Sequence, residues 1–117
     1  MYNYSMLLGR VVHDVEIRNT VDGKKVTNLV LAVQRPFKNN ETDKYDTDFI
    51  EVSIWDALCD IASQYIKKGS VIGVRCRITS RQVTLKSDAV INVLQLVGEK
   101  VILVSSSDKS QSDTQTE

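Results

Sequence analysis

The sequence predicts a small all-β barrel plugged at one end by a single helix. Three observations carry that expectation. Apolar residues alternate with a period of two over most of the chain, one stretch alone repeats them at the helical period, and strand-like segments flank that stretch on both sides. A chain of 117 residues has room for one domain with a real core and not for two.

Tyr4 to Val12 reads as the first strand, with Gly9 marking a bulge or bend, and HDVEIR at 13–18 continues it past that bend. TVDGK at 20–24 is a hairpin turn centred on Asp22-Gly23. Val26 to Gln34 is the second strand, with Leu29, Leu31 and Val33 on one side and Asn28, Val30, Ala32 and Gln34 on the other. Arg35 to Asp48 is polar and holds the only Pro, so it is expected as an exposed loop or the tip of a long hairpin.

Phe49 to Trp55 forms the third strand. Ile50, Val52 and Ile54 point to the core, which leaves Phe49, Glu51, Ser53 and Trp55 on the opposite face. Burial in the same core does not account for two aromatics there. Asp56 is then expected to N-cap a helix with apolar residues at Leu58, Ile61, Ala62, Tyr65 and Ile66. Lys67, Lys68 and Gly69 close it, the cations at the negative helix end and the glycine as the left-handed C′ residue. Ser70 to Arg81 is the fourth strand, with Val71, Gly73, Arg75, Arg77 and Thr79 on one face and Ile72, Val74, Cys76 and Ile78 on the other. After a turn around Ser87-Asp88, Val90 to Leu103 supplies the last strand or pair of strands. Five strands with one α-helix between strands 3 and 4 predict a five-stranded Greek-key barrel, the OB-fold. Residues 1–104 would be that domain, and residues 105–117, which contain no apolar side chain, a flexible, disordered polar tail.

Composition narrows the function classes. The formal net charge is zero, and because residues 105–117 carry −2, residues 1–104 carry +2. A polyanion would therefore be held by a local patch and not by bulk charge. Two cysteines and one histidine do not make a four-ligand zinc site, and Cys59 and Cys76 read as small buried or half-buried fillers in a reducing compartment. Asp43, Asp46 and Asp48 lack the central glycine and closing glutamate of a calcium loop. With no phosphate-cradling glycine loop and no nucleophile motif, no catalytic residue, metal or cofactor is expected. No apolar run reaches membrane-spanning length and the N-terminus lacks a signal-peptide pattern, so a cytoplasmic protein is expected.

LLGRVVHDVEIR, the hairpin at VDGKKV, LAVQRPFK, TDFIEVSIWDA and IASQYIKKGSVIGVRCRI, in that order, resemble bacterial single-stranded DNA-binding proteins over residues 3 to 104. The specific part is an aromatic, five residues and a Trp leading into a helix that ends in KKGS. The resemblance implies an OB-fold that binds single strands without reading sequence, in replication, recombination or repair, and assembles as a homotetramer or less often a dimer.

Such binding needs flat side chains for bases and cations for phosphates. The expected stacking platforms are Phe37, Phe49 and Trp55. Arg35 and Lys38 flank Phe37, and Arg75 and Arg77 stand two apart on one sheet face. Arg81 and Lys86 lie where the family's long hairpin embraces the strand. Lys67 and Lys68, and Arg10, Arg18 and Lys24 at the groove edge, complete the candidates.

The chain also departs from the family pattern. Val83 stands where many relatives carry an aromatic in the hairpin, Glu51 stands where a base is common, and the tail ends in SDTQTE without an acidic run and terminal Pro-Phe. These departures imply a specialised or mobile-element paralogue with weaker binding and reduced recruitment of partner proteins. The rival reading is an OB-fold interaction module, such as a primosome or phage accessory subunit, whose aromatic face binds protein.

Overall fold

The structure, a computed structural model, describes residues 1–106. It contains strands β1 (Ser5–Val11), β2 (Arg18–Asn19), β3 (Lys25–Lys38), β4 (Tyr45–Trp55), β5 (Val71–Thr84) and β6 (Val90–Ser105), with one helix, α1 (Ala57–Tyr65). The sheet runs β1-β5-β6-β4-β3-β2, and an added β1–β3 pairing at Arg10↔Ala32 and Val11↔Leu31 closes it. All pairings are antiparallel except β4 with β6. Apart from the two-residue β2, this is the expected closed barrel of five strands, with the helix between the third and fourth of them.

Alternation does the sorting. Leu29 and Leu31 from β3, Val52 and Ile54 from β4 and Ile72, Val74 and Cys76 from β5 are sealed inside, with Val11 from β1. The helix closes one end with Cys59, Ala62 and Ile66. Both cysteines are free and buried, and loss of water around the sulfur pushes each thiol above its ordinary value. Gly9 lies where β1 leaves β5 for β3. A Cβ there would come 2.8 Å from the Ala32 carbonyl oxygen, so close approach is what excludes a side chain.

Several local expectations are corrected. The first strand starts at Ser5, not Tyr4, and residues 12–17 are irregular, with only Arg18 and Asn19 pairing to β3. HDVEIR alternates too weakly to hold a strand that has no partner along most of its length. The polar stretch from Arg35 is mostly strand: β3 and β4 form one long hairpin whose tip spans only residues 39–44, with an irregularity between Gln34 and Lys38 where Pro36 cannot donate to the ladder.

Asp56 does not cap the helix with its side chain. Its backbone turns to φ 53, ψ −118, and its Oδ1 instead accepts the Lys25 N–H at 3.3 Å. Helix α1 stops at Tyr65, with Ile66 extended behind it, and the last turn holds no basic residue. Gly69, at φ 93, is the left-handed residue of a separate turn in which Ser70 N–H donates to the Lys67 carbonyl. The buried seam of the helix is Leu58, Cys59, Ala62 and Ile66, while Ile61 and Tyr65 face solvent.

The last segment is one strand, not two. Beyond the barrel, β5 and β6 continue as a second projecting hairpin with its turn at Leu85–Ala89. Ile78, expected in the core, is 43% exposed because it lies where the hairpin leaves the barrel. The register slips between Arg75↔Lys100 and Cys76↔Gly98, so Glu99 is an extra, unpaired residue in β6. Gly98 beside it is obligatory, since a Cβ would come 2.7 Å from Ile54 Cγ2. The domain boundary expected at Val104 falls one residue inside β6, and the rest of the expected tail, 107–117, lies outside the described residues.

Candidate nucleic-acid interface

The outer face of β4 carries Phe49 and Trp55 six residues apart, about 20 Å along an extended strand. Phe49 is 69% exposed and stands at one side of an open groove of about 460 Å³ lined also by Ile50, Glu51, Ile78, Leu94, Gln95 and Leu96. Trp55, half-buried, lines a second groove of about 560 Å³ with Lys24, Asp56, Leu58, Arg77, Gly98 and Glu99. Between the two rings lies Ser53, which is buried although it faces outward. Its Oγ donates to Asn28 Oδ1 and accepts from Gln95 Nε2, both at 2.9 Å, and so ties β3, β4 and β6 together. Polar side chains thus floor the space between two aromatic walls.

Phe37 is 74% exposed, further out on the same β3–β4 hairpin. None of the three expected platforms is sealed in the interior. Beside Phe37, Lys38 holds its ammonium 6.0 Å from the Tyr45 ring centroid. Tyr45, hidden in a polar stretch of sequence, joins Phe37 and Phe49 as a third exposed ring on this hairpin.

The expected cations divide into three groups. Arg35, Arg75 and Arg77 lie among the aromatics but are engaged by acids. The Arg35 fork holds Asp48 at 2.9 and 3.1 Å, which keeps the Asp48 carboxyl below its ordinary range and raises the guanidinium in turn. Glu99 takes Arg77 at 3.2 Å with one oxygen and approaches Arg75 at 4.0 Å with the other. Arg81 on β5 and Lys86 in the turn are exposed on the second hairpin, with no ion-pair partner among the described residues.

The third group gathers around the turn behind the helix. Arg10, which pairs with Ala32 and so stands two strands across from Phe49 on the outer face, donates Nη1–H to the Gly69 carbonyl at 2.6 Å. Lys67 and Lys68 lie in that turn, at the far end of the helix from Trp55, where Lys68 N–H donates to Asp14 Oδ1. Of the groove-edge candidates, Lys24 does reach the groove of Trp55. Two groove residues were missed by sequence reasoning. Leu94 is 72% exposed beside Phe49 because the hairpin carries it past the core, and Glu99 is set beside Arg75 and Arg77 by a strand pairing that no local pattern in the sequence signals.

Among the described residues, no cluster of His, Cys, Asp and Glu could hold a metal ion, and no helix is long and apolar enough to cross a membrane.

Comparison with known proteins decides the family. The model of the single-strand binding protein family matches residues 2–104. The chain belongs to the single-strand binding protein family. Proteins of this family bind DNA and are not enzymes. A "Single-stranded DNA-binding protein" of Halalkalibacterium halodurans is 36% identical over 101 residues, 86% of this chain and 60% of the relative. The chain therefore spans less than two thirds of that protein's length. "Single-stranded DNA-binding protein B" of Bacillus subtilis is 31% identical over 101 residues, 86% of this chain and 88% of the relative. A structure of the Plasmodium falciparum single-stranded DNA-binding protein in complex with single-stranded DNA superposes with a TM-score of 0.73 at 20% identity, covering 90% of this chain and 96% of the other. That likeness shows the shared OB-fold.

Proposed function

We propose that this protein binds and shields single-stranded DNA without reading its sequence, in replication, recombination or repair. The observation that carries the reading is the pair of aromatics on the outer face of β4, each bordering an open groove, with no role in the core. Bases stack on Phe49 and Trp55, and the strand continues past Phe37 and Tyr45 on the β3–β4 hairpin. Arg35, Lys38, Arg75, Arg77, Lys24, Arg81 and Lys86 meet phosphates. Arg10, two strands across from Phe49 on the outer face, adds a phosphate contact, while Lys67 and Lys68, past the helix end remote from Trp55, take no part. Residues 1–104 are the binding domain, which works in the cytoplasm at the nucleoid as a homotetramer or, less often, a dimer.

Titration of poly(dT) against the fluorescence of Trp55, the single tryptophan, tests the reading. Quenching that high salt reverses is expected. Phe49→Ala combined with Trp55→Ala, followed through a dye on the oligonucleotide, should abolish binding while the circular dichroism spectrum stays that of the folded barrel. A protein that leaves poly(dT) unbound at low salt is instead an interaction module, and the proposal fails. Light scattering with and without oligonucleotide reads the assembly state.

A further inference from the structure

The arginines nearest the rings do not wait bare for phosphate. Glu99 sits at the one place in the barrel wall where β6 carries an extra residue, between Lys100 opposite Arg75 and Gly98 opposite Cys76. Gly98, opposite Cys76, faces the core, Glu99 follows it outward, and the bulge lets Lys100 opposite Arg75 face outward as well, so that Glu99 stands in the gap between the rungs of Arg75 and Arg77. Here that brings one carboxylate to two outward-facing guanidiniums, at 3.2 Å from Arg77 and 4.0 Å from Arg75. Arg77 and Glu99 both line the groove of Trp55. Exposed ion pairs contribute little to folding, and all three side chains here are between 38% and 48% exposed, so stability gives no reason for the arrangement. Arg35 repeats the pattern on the other hairpin with a two-pronged grip on Asp48.

We propose that Glu99 sets the affinity of the site: its carboxylate occupies the positions at Arg75 and Arg77 that a phosphate would take, so a single strand binds by displacing an internal anion. Asp48 plays the same part for Arg35. The inference rests on the single-strand-binding reading above and deepens it. A phosphodiester must bring enough contacts at once to outcompete both carboxylates. A long strand with stacked bases does so, and an isolated phosphate does not. The displaced carboxylate takes up a cation from solution, which offsets part of the counterion release from the DNA and flattens the salt dependence.

The test uses fluorescence anisotropy of a labelled oligo(dT) with the full chain across a salt series. Glu99→Gln should tighten binding about fivefold at low salt, the scale of one unit charge at contact distance in water. It should also steepen the plot of log affinity against log salt, by up to about 0.7 for each arginine released. Asp48→Asn should act in the same direction through Arg35, which keeps the proposal testable if one variant folds poorly. Arg77→Gln should cost more affinity in the Glu99→Gln background than in the wild-type protein. Glu16→Gln removes the same charge from the segment beside Asp14, which lies at the Lys68 end of the molecule, and serves as the control. If the Glu99 variant binds no tighter than that control, or its salt slope is unchanged, the displacement idea is overturned while single-strand binding stands. If wild-type protein binds no oligo(dT) at any salt, the functional reading itself falls, and this inference with it.

Discussion

The two faces of β4 are built from the same run of residues and do opposite work. Val52 and Ile54 are fully buried in the barrel, whereas Phe49, one residue before Ile50, is 69% exposed. Strand alternation places the two sets less than 4 Å apart along the backbone and on different sides of it. The inner set determines whether the barrel exists and the outer set what the barrel can hold. Neighbouring residues can therefore be altered and read on separate scales.

The largest effect expected from that separation is on the inside. Ile54→Ala removes a fully buried side chain packed over Gly98 and should lower unfolding free energy by about 3 kcal/mol in a urea titration. The affinity of the folded fraction for oligo(dT) should barely move. Phe49→Ala should do the reverse. It should weaken binding about tenfold and leave the urea midpoint nearly where it was; stacking costs about 1–3 kcal/mol per base in single-strand-binding OB-folds, the proteins from which that figure comes. If both substitutions moved both readouts, the two faces would not be independent.

A smaller effect is expected where the faces meet. Asp56 ends the strand at φ 53, ψ −118, a conformation that an L side chain resists and glycine does not. Asp56→Gly should raise stability by about 1 kcal/mol, visible as a higher melting temperature. A fall would show that the hydrogen bond from Lys25 N–H to its carboxylate outweighs the strain.

The smallest effect is electrostatic. Arg35 depresses the Asp48 carboxyl below its ordinary 3.8, so their pairing is present above that value and is lost as pH falls through the lower, folded-state value. A carbon-detected NMR titration should place the Asp48 midpoint under 3.8, and Arg35→Gln should return it there. An unchanged midpoint in that variant would mean that the pair does not form in solution.

Much of this was legible in the residues themselves. The alternation of β3, β4 and β5 revealed the core, and the single helical stretch revealed the barrel's plug. Two aromatics on the face of β4 away from the core pointed to the candidate interface. What was hidden depended on contacts that no local pattern encodes. Asp56 looked like a cap by type, yet its backbone is turned toward Lys25 on β3. The Arg35–Asp48 stretch looked like loop because its side chains are polar, but a hairpin outside the core has no need of apolar ones. Lys67 and Lys68 could be listed with the other cations in sequence, yet the helix carries them to the opposite end from Trp55. The bulge at Glu99 exists only as a mismatch between two strands.

One further consequence follows from how the barrel is joined. β4 and β6 meet through only two residue pairs, Val52↔Leu96 and Ser53↔Val97, whereas β5 and β6 zip together from Val71 to Thr84. Breathing of a closed sheet starts where the fewest rungs must part; β1 and β3 also meet through two pairs, and of these two short seams the β4–β6 one runs between the ring of Phe49 and the ring of Trp55. A polynucleotide lying across both rings would act as a splint over that joint, so that the cargo mends one of the container's two thin walls.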